Sequence, residues 1–538
     1  MRRTAQLLSM ALAGTLVVGC QDLSVTNPND PDRGDATAQP AAVEALISSG
    51  FSLWWGQTHQ NTPTWALTTM ADEFTGAFTD FGMWFSSQEP RVAWDNASTA
   101  SFAATNREPW GGLHRLVSNL NDALRAIDGG VVIRDPATNA DATPRARAVG
   151  KLMQGLAFGF LAQWYDSAFV VTEDVDVDTV TAPRLSHHRV VMDSAIAMLE
   201  AAKAIAQTNT FLIPGPPSWF RTPMTNTQLV QFANSWIARF LVSLPRTRAE
   251  RDAVDWNRVL TMAEQGIQSD FRPVAEPDVF ENGFAFRAAR QRTTIPGDFA
   301  RIDNWLVGPA DSTQAAITWV NTPVANRNRF RLATSDKRIG IDTNPATRGL
   351  YIGFHQSNIW PVTRGTYHYT NYYFHRFGRG TTHEIGPQTA MTVAEMDFIR
   401  AEALIRLGRA NEAVPLINKT RVANGQLPAV TIDGPPSATS CVPRKIYPGP
   451  MQGQCGSLWD ALRYEKRIEM AGVDPSVAYA DARGWQSLVE NTGLHWPVPG
   501  RELETLQRAL YTYGGPGGQS SSPAPAPERC PVALPRCP

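Results

Sequence analysis

The stretch Thr392-Val393-Ala394-Glu395-Met396-Asp397-Phe398-Ile399-Arg400-Ala401-Glu402-Ala403-Leu404-Ile405-Arg406-Leu407-Gly408 decides the fold. Thr392 and Glu395 have the T-x-x-E spacing of a capping box, in which the hydroxyl and the carboxylate take up backbone N–H groups at a helix start. Met396, Ile399, Ala403 and Leu407 then recur every three or four residues, the apolar stripe of a 3.6-residue period. Gly408 ends the element. A second helix starts near Asn411. Pro415 is tolerated there because it lies near the first turn, Ile417 follows, and Gly425 closes the helix.

Outward from this pair the same period returns. The string Ala401 to Arg409 with Glu412-Ala413 is similar to a tetratricopeptide helix pair. Leu113, Leu116, Leu120, Leu124 and Ile127 form one stripe. Residues 146–165 are nearly apolar all round, which predicts a buried helix. Further helices are predicted over 190–204, 226–244, 255–267 and 458–470, the last with Ser457 as N-cap and Gly472 as stop. By contrast, 270–390 has no sustained helical period and is rich in Asn, Thr, Gly, Arg and aromatic residues. The fold class is mainly α, a tetratricopeptide-like helical-repeat scaffold with long irregular insertions. The expected divisions are a signal peptide over 1–19, a tether over 20–40, one body over 41–510, and a Gly/Pro-rich tail over 511–538, disordered or extended.

Arg2 and Arg3 precede an apolar run from Leu7 to Val18, which is too short to span a bilayer. It ends in Val17-Val18-Gly19-Cys20, similar to a bacterial lipobox, where the Cys receives a diacylglyceryl group and becomes the N-terminus. Gln21 rather than Asp after the Cys, by resemblance to known lipoproteins, implies transfer to the outer membrane. At about 0.8 kcal/mol per buried CH₂, two or three acyl chains make such an anchor nearly permanent. The four remaining Cys suit an oxidising compartment. Cys441 and Cys455 bracket a Pro/Gly-rich loop, and Cys530 and Cys537 bracket a Pro-rich tail; local pairing is the simplest of three possibilities. A Cys₄ zinc site is the alternative, without the usual C-x₂-C pair.

Among 538 residues, 49 Lys+Arg face 50 Asp+Glu, so the basic surplus of a dedicated nucleic-acid binder is missing. No G-x-S-x-G elbow, H-E-x-x-H helix, G-x-G-x-x-G turn or Walker loop occurs, and His383-Glu384 runs into Ile-Gly-Pro. No cofactor is called for. His187-His188 would diverge by about 100° on a helix and read as a solvated helix start. Glu173, Asp174, Asp176 and Asp178 form an acidic run that lacks the Gly and Glu of an EF-hand loop; it reads as a solvated edge strand, with a different calcium site as the alternative. Asp72-Glu73 and Glu89 are the carboxylates to test as a glycosidase pair, which needs two carboxyls about 5–10 Å apart across a cleft.

Aromatic residues are the positive signal, since the chain carries 16 Trp. Sugar rings pack their C–H faces on Trp or Tyr while nearby Asn, Asp, Arg or Gln take the hydroxyls. One cluster has Trp54, Trp55, Trp65, Phe81, Trp84 and Trp94 among polar residues that include Asp72 and Arg91. The other has Trp360, Tyr367, Tyr369, Tyr372 and Tyr373 with Asn358, Arg364 and Asn371. Trp55, Trp84, Trp360, Tyr372, Asn358 and Arg364 are the candidate ligand contacts. Trp236 and Trp256 lie on helical stripes and belong to the core.

Three C-terminal strings resemble the SusD/RagB family of outer-membrane nutrient-binding lipoproteins. They are Glu395 to Asn418 with Arg421 and Gly425, Glu465-Lys466-Arg467-Ile468-Glu469, and His495-Trp496-Pro497-Val498-Pro499-Gly500-Arg501-Glu502-Leu503. Asn121 and Asp336-Lys337-Arg338 are weaker matches. One departure is the stretch from Val473 to Ala482, inserted before Arg483-Gly484-Trp485. The resemblance implies a non-enzymatic binder of a glycan or similar oligomeric nutrient. It also implies delivery to a SusC-like TonB-dependent transporter, anchoring to outer-membrane lipid through acylated Cys20, and a surface-exposed body. The rival expectations are a surface glycoside hydrolase and a helical-repeat assembly scaffold with no small ligand. Cys20→Ser is expected to leave the protein unlipidated and move it from the membrane to the soluble fraction; mutant protein that still pellets with outer membranes after a salt wash overturns the anchor.

Overall fold

The computed structural model describes residues 37–59, 61–77, 79–175, 184–276, 300–356, 360–377, 386–437, 441–525 and 529–537. Cys20, Asn358, Asp176, Asp178 and the His383-Glu384 pair lie outside the described residues. The principal helices are α1 (Pro40–Ser48), α2 (Gly50–Thr58), α3 (Asn61–Met70), α4 (Met83–Ser87), α5 (Ala104–Asp128), α6 (Thr143–Trp164), α7 (His188–Thr208), α8 (Asn226–Ser243), α9 (Trp256–Glu264), α10 (Val393–Arg406), α11 (Ala410–Ala423), α12 (Leu458–Met470) and α13 (Pro475–Gly484). From α5 to α12 each helix packs on its successor in the chain, the arrangement of a helical-repeat row. The helices expected from periodicity are present, most with ends shifted by up to four residues, while α5 begins at Ala104, nine residues before the stripe that starts at Leu113.

The local signals explain most helix ends. Ser457 caps α12 in a full capping box with Asp460, and Thr225 does the same for α8 with Gln228. At α10 only half of the expected box forms. Thr392 Oγ1 accepts from the Glu395 N–H at 3.1 Å, while the Glu395 carboxylate turns away to the Arg239 guanidinium. Helix α6 is buried on every side, as its composition requires. Its Gly155 and Gly159 permit that packing: a Cβ on Gly155 would lie 2.9 Å from the Ala195 carbonyl oxygen, and one on Gly159 would lie 2.1 Å from the Phe240 ring.

The excursion between α9 and α10 contains only short elements, in agreement with its lack of period. It pairs Phe74–Thr75 with Arg301–Ile302, Val274–Ala275 with Gly386–Pro387, and Ile352–Phe354 with Tyr372–Phe374, all antiparallel. These segments close a second core around Trp65, Phe74, Ile302, Leu306, Ile352, Tyr372 and Phe374. That core also takes Tyr464 and Ile468 from α12, so the excursion is seated on the helical row.

The inserted stretch before Arg483 is a helix, α13, with Asp474 as N-cap and Pro475 in its first turn. The closing segment is pinned at both ends: Trp496 N–H donates to the Trp164 carbonyl at 2.7 Å, and Gly500 N–H to Asn96 Oδ1 at 3.1 Å. The described part of the tail turns repeatedly and is hydrogen-bonded to the body, with Trp94 N–H donating to the Tyr513 carbonyl and Gly515 N–H to that of Asn491. Cys441 bonds Cys455 and Cys530 bonds Cys537, so the local pairing holds and the zinc alternative is set aside. No helix among the described residues is long and apolar enough to cross a membrane.

Gly159→Ala tests the close approach of α6 to α8. The added methyl must displace the Phe240 ring, and a loss of about 1–3 kcal/mol is expected. Urea unfolding measures it; an unchanged midpoint overturns this packing account.

Candidate functional site

The candidate ligand contacts separate by burial. Trp55 is fully enclosed in the main core, stacked on His59 at 4.0 Å. Tyr372 is equally enclosed, and its hydroxyl accepts the Leu332 N–H at 2.9 Å. Both are core residues, which corrects their assignment as ligand contacts. Trp360 is 4 % exposed and forms a small cluster with Ala77 and Tyr369, whose hydroxyl donates to the Trp360 carbonyl at 3.0 Å. It supports the surface from below and offers no ring to a ligand.

Trp84 and Arg364 do reach the surface, and together. Phe81 and Gly82 both adopt left-handed backbone, φ 56° and 73°, and turn the chain sharply into α4. Met83, Ser86 and Ser87 of α4 face inward, and Ser86 Oγ donates to the Gly82 carbonyl at 2.7 Å. That leaves Trp84 and Phe85 half-buried on the outer side, their rings 5.0 Å apart. Across from them, Gly365 (φ 95°) turns the 360–369 segment. Arg364 donates to the Ala77 carbonyl at 2.7 Å and holds its guanidinium 5.5 Å from the centre of the Trp84 ring. That separation lies within the range of a cation–π contact, about 6 Å. Tyr367, also half-buried, accepts the Glu89 N–H at 3.0 Å. The result is an open shelf of two indole and phenyl rings, one phenol and one cation.

Beneath the shelf lie the carboxylates considered as a glycosidase pair. Asp72 is held by Arg91 at 2.7 and 3.0 Å, and Glu89 by Arg327 at 3.1 Å. Glu73 accepts the Gly472 N–H at 2.9 Å. Asp72 and Glu73 are buried and Glu89 nearly so. Burial raises the pKa of Asp72 and Glu89 against the pull of Arg91, and raises Asp303 beside them well above the carboxylate range, with the Asp72 charge adding to it. Burial pushes Glu73 up to about 8. His368, which bonds Thr75 Oγ1 at 3.0 Å, is pushed down to about 3 by burial and stays neutral.

Other expected features also resolve. His188 is buried against the Asp166 carbonyl and only His187 stays exposed, which corrects the solvated pair. Glu173 is buried in an ion pair with Lys151 and accepts from Gln154 at 2.7 Å, which corrects the solvated edge strand at that residue. Among the described residues no group of three or more His, Cys, Asp or Glu is placed to hold a metal ion.

Solved structures share this architecture. One SusD superfamily protein from Parabacteroides distasonis superposes with a TM-score of 0.53 at 11% identity, over 88% of this chain and 99% of its own. Another from Bacteroides vulgatus gives 0.52 at 11% identity, over 84% and 89%. The chain has the SusD fold. No family model and no curated protein matches it. In this SusD-like body the shelf residues come from two segments almost 280 positions apart, and the sequence marked both only by aromatic residues among polar ones.

A second surface feature escaped the sequence reading. A groove of about 950 Å³ is lined by 334–341, 346–350, 375–376 and 423–426. Of its cations only Lys337 lay in a marked string, and no periodicity joins the four segments.

Glu73 makes stability fall as pH rises. Its folded value of about 8 exceeds its ordinary 4.5, so the folded protein keeps a proton that the unfolded chain releases. The resulting stabilisation is full below about pH 4.5 and is lost through pH 8. Glu73→Gln keeps the acceptor oxygen for Gly472 and is expected to raise Tm at pH 8 while leaving it unchanged at pH 4.5. An equal effect at both pH values, measured calorimetrically, overturns this assignment.

Proposed function

We propose that this protein is a SusD/RagB-family outer-membrane lipoprotein that captures a glycan and delivers it to a SusC-like TonB-dependent transporter. The observation that carries the reading is the Trp84–Arg364 shelf on a SusD-type scaffold. A half-buried indole whose ring reaches the surface, with a guanidinium beside it, suits a sugar, whose C–H face stacks on the ring while its hydroxyls accept from the cation. An open shelf, unlike a closed pocket, leaves both ends of a polymer free. The Cys20 lipobox supports anchoring at the outer membrane, and the helical row offers a broad surface for the transporter.

The mechanism is capture without bond cleavage. The carboxylates nearest the shelf are engaged by Arg91, Arg327 and the Gly472 N–H, so they hold the backbone turns that present Trp84 and Tyr367. Lipidation fixes the body near the barrel, and release follows when the transporter draws the ligand away.

Purified protein screened on an oligosaccharide array is expected to bind without releasing fragments. Trp84→Ala is expected to weaken that binding about tenfold, the loss of one stacking contact of roughly 1–2 kcal/mol. Fragment release supports a hydrolase instead. A protein that binds no saccharide yet co-purifies with a membrane barrel supports an assembly scaffold.

A further inference from the structure

The groove found beside the excursion is built by close backbone contact. Leu350 N–H donates to the Lys337 carbonyl at 2.9 Å, Gly340 N–H to that of Ile352 at 2.7 Å, and Lys337 N–H to that of Gly425 at 3.0 Å. The lining is fixed by these bonds, and no side chain fits where the strands cross: a Cβ on Gly340 would lie 2.1 Å from the Arg348 carbonyl oxygen. At about 950 Å³ the groove is near the upper end of the roughly 300–1,000 Å³ typical of small-ligand sites.

Its charges do not cancel. Behind the groove, Arg338 binds Asp336, Glu465 and Glu469 at 2.7, 2.6 and 3.0 Å. Arg421 binds Glu465 at 2.9 Å, and Arg376 binds Glu469 at 3.2 Å. Three carboxylates thus meet three guanidinium groups, and this buried set is neutral. Among the described residues of the lining two cations are left over, with one carboxylate beside them, Asp342, which accepts from Thr347 Oγ1 and from the Asn344 N–H. The Lys337 ammonium is exposed and has no hydrogen-bond or ion-pair partner among the described residues. Arg348 meets no carboxylate there; its Nη2 donates to His375 Nδ1 at 3.1 Å. The other ring nitrogen of His375, Nε2, lies 3.1 Å from the Gly349 carbonyl, so the ring is held between the two segments and orients Arg348. Thr334, Thr347 and Gln426 add hydroxyl and amide groups to the same walls.

We propose that this groove binds the anionic groups of an acidic oligosaccharide, with Lys337 and Arg348 as the anion-recognising residues. A guanidinium meets a carboxylate or sulfate in two parallel hydrogen bonds, and the ammonium acts as a point charge beside it. The oligosaccharide part of the statement rests on the function proposed above; the anionic part rests on the groove alone. The shared chemistry is a sugar-borne anion, either a uronate carboxylate or a sulfate ester.

Titration calorimetry at low salt tests it, with panels of uronate-bearing, sulfated and uncharged oligosaccharides of matched length. At least one acidic class is expected to bind about tenfold tighter than the uncharged class, and to lose that advantage as NaCl is raised. The two acidic panels tell carboxylate from sulfate. Lys337→Gln with Arg348→Gln is expected to abolish the preference, while Arg348→Lys, which keeps the charge, retains part of it and shows that the site is still folded. No preference in the wild type, or a preference that survives the double variant, overturns the proposal. Uncharged binding that depends on Trp84, with no acidic preference, removes the groove and leaves the shelf. Acidic binding lost in the double variant but untouched by Trp84→Ala keeps the groove and removes the shelf.

Discussion

Buried arginine is the constraint on which the rest of this structure depends. Arg251, Arg301, Arg338 and Arg421 are almost wholly enclosed, and Arg239 and Arg483 nearly so. A buried guanidinium must find carboxylates or carbonyls for its donors, or several kcal/mol are lost. Here each demand joins separate parts of the chain. Arg239 of α8 binds Glu395 of α10 and Asp474 ahead of α13. Arg251, between α8 and α9, binds Glu402 of α10 and Asp481 of α13 at 2.7 and 2.9 Å. Arg246 and Arg483 instead take backbone carbonyls, among them Ala162 and Gln163 at the end of α6, which would otherwise lack partners. Hydrophobic packing brings the helices into a row, and these charges fix which residue faces which.

The same rule seats the irregular excursion. Glu465 and Glu469 are one turn apart on α12 and point to one face. That face receives Arg338, and Tyr464 adds a hydrogen bond to Asp336 at 2.6 Å. The E-x-R-x-E string and the Asp336-Lys337-Arg338 string, more than a hundred positions apart, are two halves of one contact. Arg467, the middle residue, turns to the Ala71 and Asp72 carbonyls at 3.1 Å and so ties the end of α3 to the same helix. These contacts seat the described part of the excursion on α12.

The scaffold was legible in the sequence because a 3.6-residue stripe is a local property. The ends were less so, since tertiary partners compete for capping groups: Glu395 satisfies Arg239 in place of its own helix. The stretch 473–482 looked like a loop insertion, yet Asp474 and Pro475 are a cap and a first-turn residue, a start signal legible beforehand. The site was half legible. Of the candidate ligand contacts Trp84 and Arg364 reach the surface, but Trp55, Trp360 and Tyr372 have equally polar neighbours in sequence and are buried. Composition around an aromatic residue does not report which way its helix turns. Trp54 and Trp55 are adjacent and both enclosed because α2 is buried on more than one side. The groove was invisible because its four segments are far apart in sequence and meet through backbone hydrogen bonds and the Arg348–His375 contact, which no local period reports.

The two surfaces follow from one electrostatic economy. Under the shelf, burial raises Asp72, Glu73, Glu89 and Asp303, and Arg91 and Arg327 pair with two of them. The interior there is close to neutral, so Arg364 sets the charge that a ligand meets at Trp84. Behind the groove, three carboxylates and three arginines cancel, so Lys337 and Arg348 set the charge at its lining. In both places the fold discharges its interior internally and leaves isolated cations on rigid backbone beside donor and acceptor groups. The shelf adds rings and the groove adds depth. Stacking therefore dominates recognition at one and charge at the other, and a ligand carrying both an apolar sugar face and an anionic group has a reason to use each.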